Sequence, residues 1–139
     1  MNSLKNKRVA KELAGLNYSV DQNDCTINVE YKEYQIKFIL KSNYPFDPPS
    51  DFFVNQKKIS YSPGCFPKRL FEEYCKIKKV CPCCASILCH KNWGIHLTLI
   101  DIIEEYIVFA NMLKRINTIF TIKKIKLPDD MINEIISFY

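Results

Sequence analysis

Seven cysteines are the residues of this 139-residue chain best suited to chemistry, and five of them lie within residues 75–89. A cysteine thiolate acts either as a nucleophile or as a metal ligand. Because the chain is predicted to stay in the reducing cytosol or nucleus, an odd and clustered set of cysteines favours metal binding or catalysis over disulfides. The alternative is a set of small buried hydrophobic residues, which such clustering makes the weaker interpretation.

The predicted metal ligands are the cysteines of residues 64–83, a segment that we treat as an insert: Cys65, Cys75, Cys81 and Cys83. Four thiolates suit a tetrahedral structural zinc ion. The ligand set stays open, because Cys81 forms a C-x-x-C motif with Cys84 and a tighter C-x-C pair with Cys83. Cys89 and His90 extend the choice further. A cysteine that binds the zinc ion cannot also serve as a nucleophile.

The first half of the chain predicts a helix followed by an antiparallel meander. Val9, Leu13 and Leu16 recur at helical spacing within residues 3–16, and Gly15 favours the end of that helix. Apolar residues at alternate positions then indicate strands, which a proline-rich stretch without backbone donors interrupts. The strands are expected at residues 27–31, 34–40 and 51–54, and the interruption at residues 44–49.

The second half predicts helices. Apolar residues recur every three or four positions from Thr98 to about Ile116, and Thr98 with Asp101 three residues later is typical of a helix start. A last helix is expected within residues 127–139, because Pro128 suits a first helical turn. We expect that helix to pack on the domain, with a docking element as the second interpretation. Helix, meander, cysteine-rich loop and C-terminal helices make an α+β protein.

Composition limits the classes of function. The apolar fraction of 47% and charged fraction of 25% are typical of a folded chain, and residues 1–139 suffice for a single domain. No apolar run reaches the roughly eighteen residues that span a bilayer, so we expect no membrane partner and a cytoplasmic or nuclear protein. The net charge of +5 is dispersed along the chain. A basic nucleic-acid module is therefore the weakest option considered.

Three stretches occur in an order that resembles the ubiquitin-conjugating enzymes. They are RVAKELAGL at residues 8–16, YPFDPP at residues 44–49 and CASILCHKNWGIHLTL at residues 84–99. The first is similar to that family's first helix, the second to its proline-rich turn after the third strand. The third is similar to its segment of catalytic cysteine, tryptophan and LT at a helix start. The resemblance covers about residues 3–116 and implies the fold of that family.

The resemblance also implies an activity. Members of the family accept ubiquitin from an activating enzyme as a cysteine thioester and pass it to a lysine amine, usually with a ligase. Alignment on Trp93 places Cys84 at the catalytic position, one residue further from the tryptophan than is typical. Trp93 would anchor its long loop on the core, while Tyr44 and Phe46 would fill the gap between sheet and helix.

Two departures from the family pattern bear on Cys84. The family's HPN tripeptide, whose asparagine is thought to stabilise the oxyanion, has no counterpart before Cys84, and Ser62 would be a weaker donor in its place. His90 or Asn92 could substitute from the other side. The second departure is the cysteine-rich insert, which could recruit Cys84 as a ligand.

The sequence therefore supports two functions on one fold. The first is a divergent conjugating enzyme that carries ubiquitin or a ubiquitin-like protein on Cys84. The alternative is an inactive, zinc-binding module that forms no thioester and binds protein partners, within a larger assembly.

Overall fold

A computed structural model of the chain describes residues 3–41, 43–62, 64–124 and 128–137. The elements follow one another in this order: α1 Ser3–Glu12, β1 Asn17–Asp21, β2 Thr26–Tyr31, β3 Tyr34–Ile39, β4 Asp51–Val54, β5 Lys57–Lys58, α2 Lys68–Lys78, a short 3-10 turn Pro82–Cys84, α3 Leu99–Lys124 and α4 Asp129–Ser137. The predicted α+β class is confirmed, with a helix first, an antiparallel sheet next and helices at the end. Within the described ranges, no helix is both long and apolar enough to cross a membrane.

The sheet is a meander in which each strand pairs antiparallel with the next, in the order β1-β2-β3-β4-β5. Alternation places one face of β2 and β3 in the core, where Ile27 lies opposite Phe38 and Val29 lies opposite Ile36. The predicted strands are confirmed. β1 was not predicted, because its residues alternate between exposed and half-buried positions and carry little apolar signal.

Helix α1 ends earlier than the predicted residue 16. Its last regular residue is Glu12, and the chain then turns through Gly15, whose φ of +83° suits glycine. Val9 and Leu13 are buried against the sheet and α3, as the helical spacing predicts.

Helix α3 begins as predicted and runs longer. The Asp101 carboxylate accepts hydrogen bonds from the backbone N–H of Thr98 at 2.8 Å and from its hydroxyl at 3.0 Å. The backbone N–H of Asp101 donates in return to the Thr98 hydroxyl at 3.2 Å, which completes a capping box. The helix continues past Ile116 to Lys124. It therefore extends from the sheet to a second apolar cluster.

That second cluster forms because the insert contains a helix, whereas the sequence predicted a loop. Phe71, Tyr74 and Cys75 are the buried residues of α2, and their spacing puts them on one helical face. This face packs on α3, where the Phe109 ring lies 4.7 Å from the Tyr74 ring and 4.6 Å from the Phe66 ring, centroid to centroid. The insert is thus an extension of the core.

The predicted C-terminal helix is present as α4. The predicted ends of that helix, residues 127, 138 and 139, lie outside the described residues. Asp129 and Asp130 occupy its first turn, where negative charge is favourable.

Candidate functional site

The Glu12 carboxylate joins the three stretches on which the family resemblance rests. Its side chain is only 3% exposed. It accepts hydrogen bonds from the Arg8 guanidinium on α1, from the Tyr44 hydroxyl at 2.6 Å and from the backbone N–H of Leu99 at 2.9 Å. Burial of the Tyr44 hydroxyl, together with its hydrogen bond to Glu12, raises the pKa of Tyr44 far above its ordinary value. The helix, the proline-rich turn and the start of α3 are therefore fixed to one buried group.

Arg8 extends this connection to the loop before α3. Its guanidinium donates to the carbonyl oxygens of Ile95 at 2.7 Å and of Leu97 at 3.1 Å. Because a charged donor strengthens such bonds, Arg8 holds the loop in register with α1.

Trp93 also anchors this loop, as predicted. Its indole N–H donates to the carbonyl of Pro45 at 2.9 Å, and its ring lies 6.1 Å from the Tyr44 ring. The prediction for Phe46 was wrong, because its side chain is 66% exposed. The reason is that Tyr44 and the two prolines Pro48 and Pro49 are buried at this turn, so the intervening Phe46 points outwards.

Helix α3 holds the segment after Cys84 through Glu105. The Glu105 carboxylate accepts hydrogen bonds from the Ser86 hydroxyl at 2.5 Å and from the backbone N–H of Ile87 at 2.8 Å. Burial raises the pKa of Glu105 despite these hydrogen bonds. Glu105 was missed in the sequence. The available signal was a carboxylate flanked by Ile102 and Phe109 on the buried side of a helix.

Asn92 holds the same segment through its side-chain amide. Its side-chain amide donates to the carbonyl of Cys84 at 2.9 Å and to the carbonyl of Ser86 at 3.0 Å. An amide has two N–H donors, so both are engaged. In this arrangement Asn92 supports the backbone of the cysteine segment and has no donor left for an oxyanion.

A groove of about 600 Å³ opens beside this segment. It lies between the proline-rich turn, the chain after β5 and the cysteine-rich stretch, with Cys83, Cys89 and His90 among its lining residues. Cys84 itself is half-buried, whereas its neighbour Cys83 is exposed. The groove is therefore lined by the residue next to the predicted nucleophile.

Cys83, which lines the groove, lies close to two other thiols. The sulfur of Cys83 lies 2.8 Å from that of Cys81 and 3.5 Å from that of Cys84. Hydrogen bonding with the sulfurs of Cys81 and Cys84 raises the pKa of Cys83 to about 11. Hydrogen bonding with the sulfur of Cys83 and with nearby backbone N–H groups lowers the pKa of Cys81. The three thiols are thus close enough to interact.

The four predicted zinc ligands are not all brought together. Cys81 and Cys83 adjoin, but Cys75 is buried in the α2 face and Cys65 is half-buried in the stretch before α2. Sulfurs about 2.3 Å from a tetrahedral zinc ion would be about 3.8 Å apart, further than the 2.8 Å between Cys81 and Cys83. Among the described residues, no three or more His, Cys, Asp or Glu side chains are placed to share a metal ion. The zinc ion stays a prediction.

Compared with known proteins, the chain matches no family model, no curated protein and no solved structure. The resemblance to the ubiquitin-conjugating enzymes therefore depends on the three motif stretches alone.

Proposed function

We propose that the protein is a divergent ubiquitin-conjugating enzyme that carries ubiquitin or a ubiquitin-like protein as a thioester on Cys84. The observation that carries the proposal is the network around Glu12. Arg8 and Glu12 from the first motif, Tyr44 from the second and Leu99 from the third meet at one buried carboxylate. Three short motifs that matched by chance would have no reason to converge in space.

The chemistry needs a positioned thiol more than a full catalytic triad. The Cys84 thiolate would attack the carbonyl carbon of the thioester on the activating enzyme, forming a new C–S bond while the old one breaks and that enzyme's thiolate leaves. One thioester replaces another, so positioning is the main requirement. Asn92 donates to the carbonyl of Cys84 and Glu105 accepts from the N–H of Ile87, and these contacts supply that positioning.

A partner protein is the second requirement of the proposal, since transfer involves an activating enzyme and a ligase. Phe46 and Ile95 are exposed at 66% and 52%, and they flank the hydrogen bond between Trp93 and Pro45. Exposed apolar side chains at a rigid site are typical of protein-binding surfaces. We propose that this surface receives one of these partners.

The test is thioester formation. Purified protein is incubated with activating enzyme, ATP and ubiquitin, and then run on a gel with and without reductant. We expect a reductant-sensitive adduct that is absent in Cys84→Ala and present in Cys25→Ala, a half-buried cysteine in the turn between β1 and β2. The absence of an adduct with ubiquitin and with each ubiquitin-like protein, each supplied with its own activating enzyme, would reject the proposal.

One observation favours the alternative, an inactive zinc-binding module. The Asn92 amide is engaged by the carbonyls of Cys84 and Ser86, so it gives an oxyanion at Cys84 no donor. The loss of such a donor typically slows acyl transfer by about a hundredfold or more. The alternative predicts no adduct together with one zinc ion per chain, measured by metal analysis and lost in Cys81→Ser.

A further inference from the structure

The C-P-C sequence at residues 81–83 brings two cysteine sulfurs together through its backbone. Cys81 is extended, with φ −71° and ψ 137°, as a residue before proline prefers. Pro82 then begins the 3-10 turn, which the backbone N–H of Cys84 closes on the Cys81 carbonyl at 2.9 Å. This turn places the sulfurs of Cys81 and Cys83 on the same side, 2.8 Å apart.

Both sulfurs are accessible to a small molecule. Cys81 and Cys83 are exposed, whereas Cys84 and Cys89 are half-buried and Cys75 is buried. A disulfide needs sulfurs about 2.05 Å apart, so Cys81 and Cys83 would have to approach by less than one ångström. No other pair of sulfurs described here is as close.

Either thiol of the pair can react first. In thiol exchange a thiolate attacks a disulfide sulfur, and Cys81 and Cys83 are both exposed. The second thiol then lies next to the first, because their sulfurs are 2.8 Å apart.

We infer that Cys81 and Cys83 form a redox-active dithiol that a small disulfide, such as glutathione disulfide, oxidises to an intrachain disulfide. The inference does not depend on the thioester function, since it concerns Cys81 and Cys83 and leaves Cys84 as a free thiol.

The reaction proceeds in two exchanges. One of the two cysteines, as a thiolate, attacks one sulfur of glutathione disulfide, an S–S bond forms between them, and the other glutathione leaves as a thiolate. The second cysteine then loses its proton and attacks the cysteine sulfur of this mixed disulfide, so the protein disulfide forms and the second glutathione leaves. The two cysteines lose two electrons in total, and glutathione disulfide is reduced to two molecules of glutathione.

The resulting disulfide would be easily reduced. Its ring spans only residues 81–83 and is exposed, and small or strained exposed disulfides are the labile ones that act in regulation or catalysis. A zinc ion on the same thiolates would oppose this chemistry, because bound thiolates are poor nucleophiles. The dithiol and the zinc site are therefore mutually exclusive uses of Cys81 and Cys83.

The test uses the full chain in glutathione buffers that range from fully reduced to fully oxidised, followed by thiol alkylation and mass spectrometry. We expect oxidation to remove two alkylation sites, both in the peptide of residues 80–91, and reduction to restore them. Cys81→Ser and Cys83→Ser each lack one thiol of the pair, so in each variant a mixed disulfide with glutathione should accumulate on the cysteine that remains. Cys25→Ser should oxidise as the unchanged protein does, and in Cys84→Ala the disulfide between Cys81 and Cys83 should still form.

Three results would overturn the inference. The first is a chain in which Cys81 and Cys83 both stay open to alkylation in fully oxidised glutathione buffer. The second is loss of the disulfide in Cys84→Ala, which would place the bond at Cys84. The third is stoichiometric zinc in the purified protein that blocks oxidation until a chelator removes it.

Discussion

At the scale of single residues, the predicted nucleophile is held by its neighbours through backbone contacts. Asn92 donates to the carbonyls of Cys84 and Ser86, and Glu105 accepts from the hydroxyl of Ser86 and the N–H of Ile87. Cys84 and Asn92 were found in the sequence as candidates for chemistry. Glu105 was not, because a single sequence does not show which loop will lie over a helical carboxylate.

Replacing Asn92 by alanine should loosen the cysteine segment. Two side-chain hydrogen bonds are lost at a partly solvated site, so we expect the free energy of unfolding to fall by about 1–2 kcal/mol. Urea unfolding measures this change. Asn17→Ala removes one exposed hydrogen bond, to Glu30, and should cost less than half as much. Equal losses in the two variants would contradict the positioning role of Asn92.

The Glu105 carboxyl predicts a pH dependence. Burial raises its pKa in the folded state above the unfolded value of about 4.3. A raised pKa means that the folded protein binds the proton more tightly, so the stabilisation by Glu105 is fully present below that unfolded value. It is lost as pH rises through the folded pKa. We therefore expect Glu105→Gln to gain stability relative to the unchanged protein as pH increases from 4 to 7.

Urea unfolding at several pH values tests this expectation. If the free energy of unfolding of Glu105→Gln minus that of the unchanged protein stays constant or falls as pH rises, the Glu105 pKa is not raised.

At the scale of elements, α2 is the main departure from the sequence-based expectation. Its apolar face of Phe71, Tyr74 and Cys75 was present in the sequence, but the stretch lay among cysteines and was assigned to a loop. The face is buried because it packs against Phe109 and Ile116, in the part of α3 that extends beyond the sheet. Residues that meet across such a distance in sequence carry no local signal. By contrast, α1, α3 and the central strands followed from periodicity and capping alone.

Phe71→Ala should destabilise the protein severely, because the ring is fully buried between α2 and α3. Truncation of a buried phenylalanine typically costs about 3–5 kcal/mol. Ile77 on the same helix is 54% exposed, so Ile77→Ala should change the free energy of unfolding by less than about 0.5 kcal/mol. Chemical denaturation compares the two variants. Similar costs would show that α2 does not pack on α3 through Phe71.

At the scale of the whole molecule, the Glu12 carboxylate connects elements that are far apart in sequence. Arg8, Tyr44 and Leu99 all donate to it. The motif order in the sequence predicted that these stretches belong together, but the group that joins them was not identified. A glutamate four residues after an arginine on a helix is so common that its spacing alone does not single it out.

Glu12→Ala should therefore lower the free energy of unfolding of the whole protein. Removing the carboxylate leaves the Tyr44 hydroxyl and the backbone N–H of Leu99 without their acceptor, and each buried polar group left without a partner costs about 1–3 kcal/mol. The neighbouring Lys11 is exposed, so Lys11→Ala is a matched control with little expected change. Thermal or urea unfolding provides the measurement. A Glu12→Ala variant as stable as Lys11→Ala would contradict the role of Glu12 as the joining group.

The central claim is that Cys84 carries the thioester, and its neighbour Cys83 makes the most demanding comparison. The measurement is the mass of the intact protein after incubation with activating enzyme, ATP and ubiquitin or a ubiquitin-like protein, for Cys84→Ala and Cys83→Ala in parallel. We expect a reductant-sensitive mass increase of one ubiquitin in Cys83→Ala and none in Cys84→Ala. An adduct that persists in Cys84→Ala, or that is absent from the unchanged protein with every modifier, would contradict the role of Cys84.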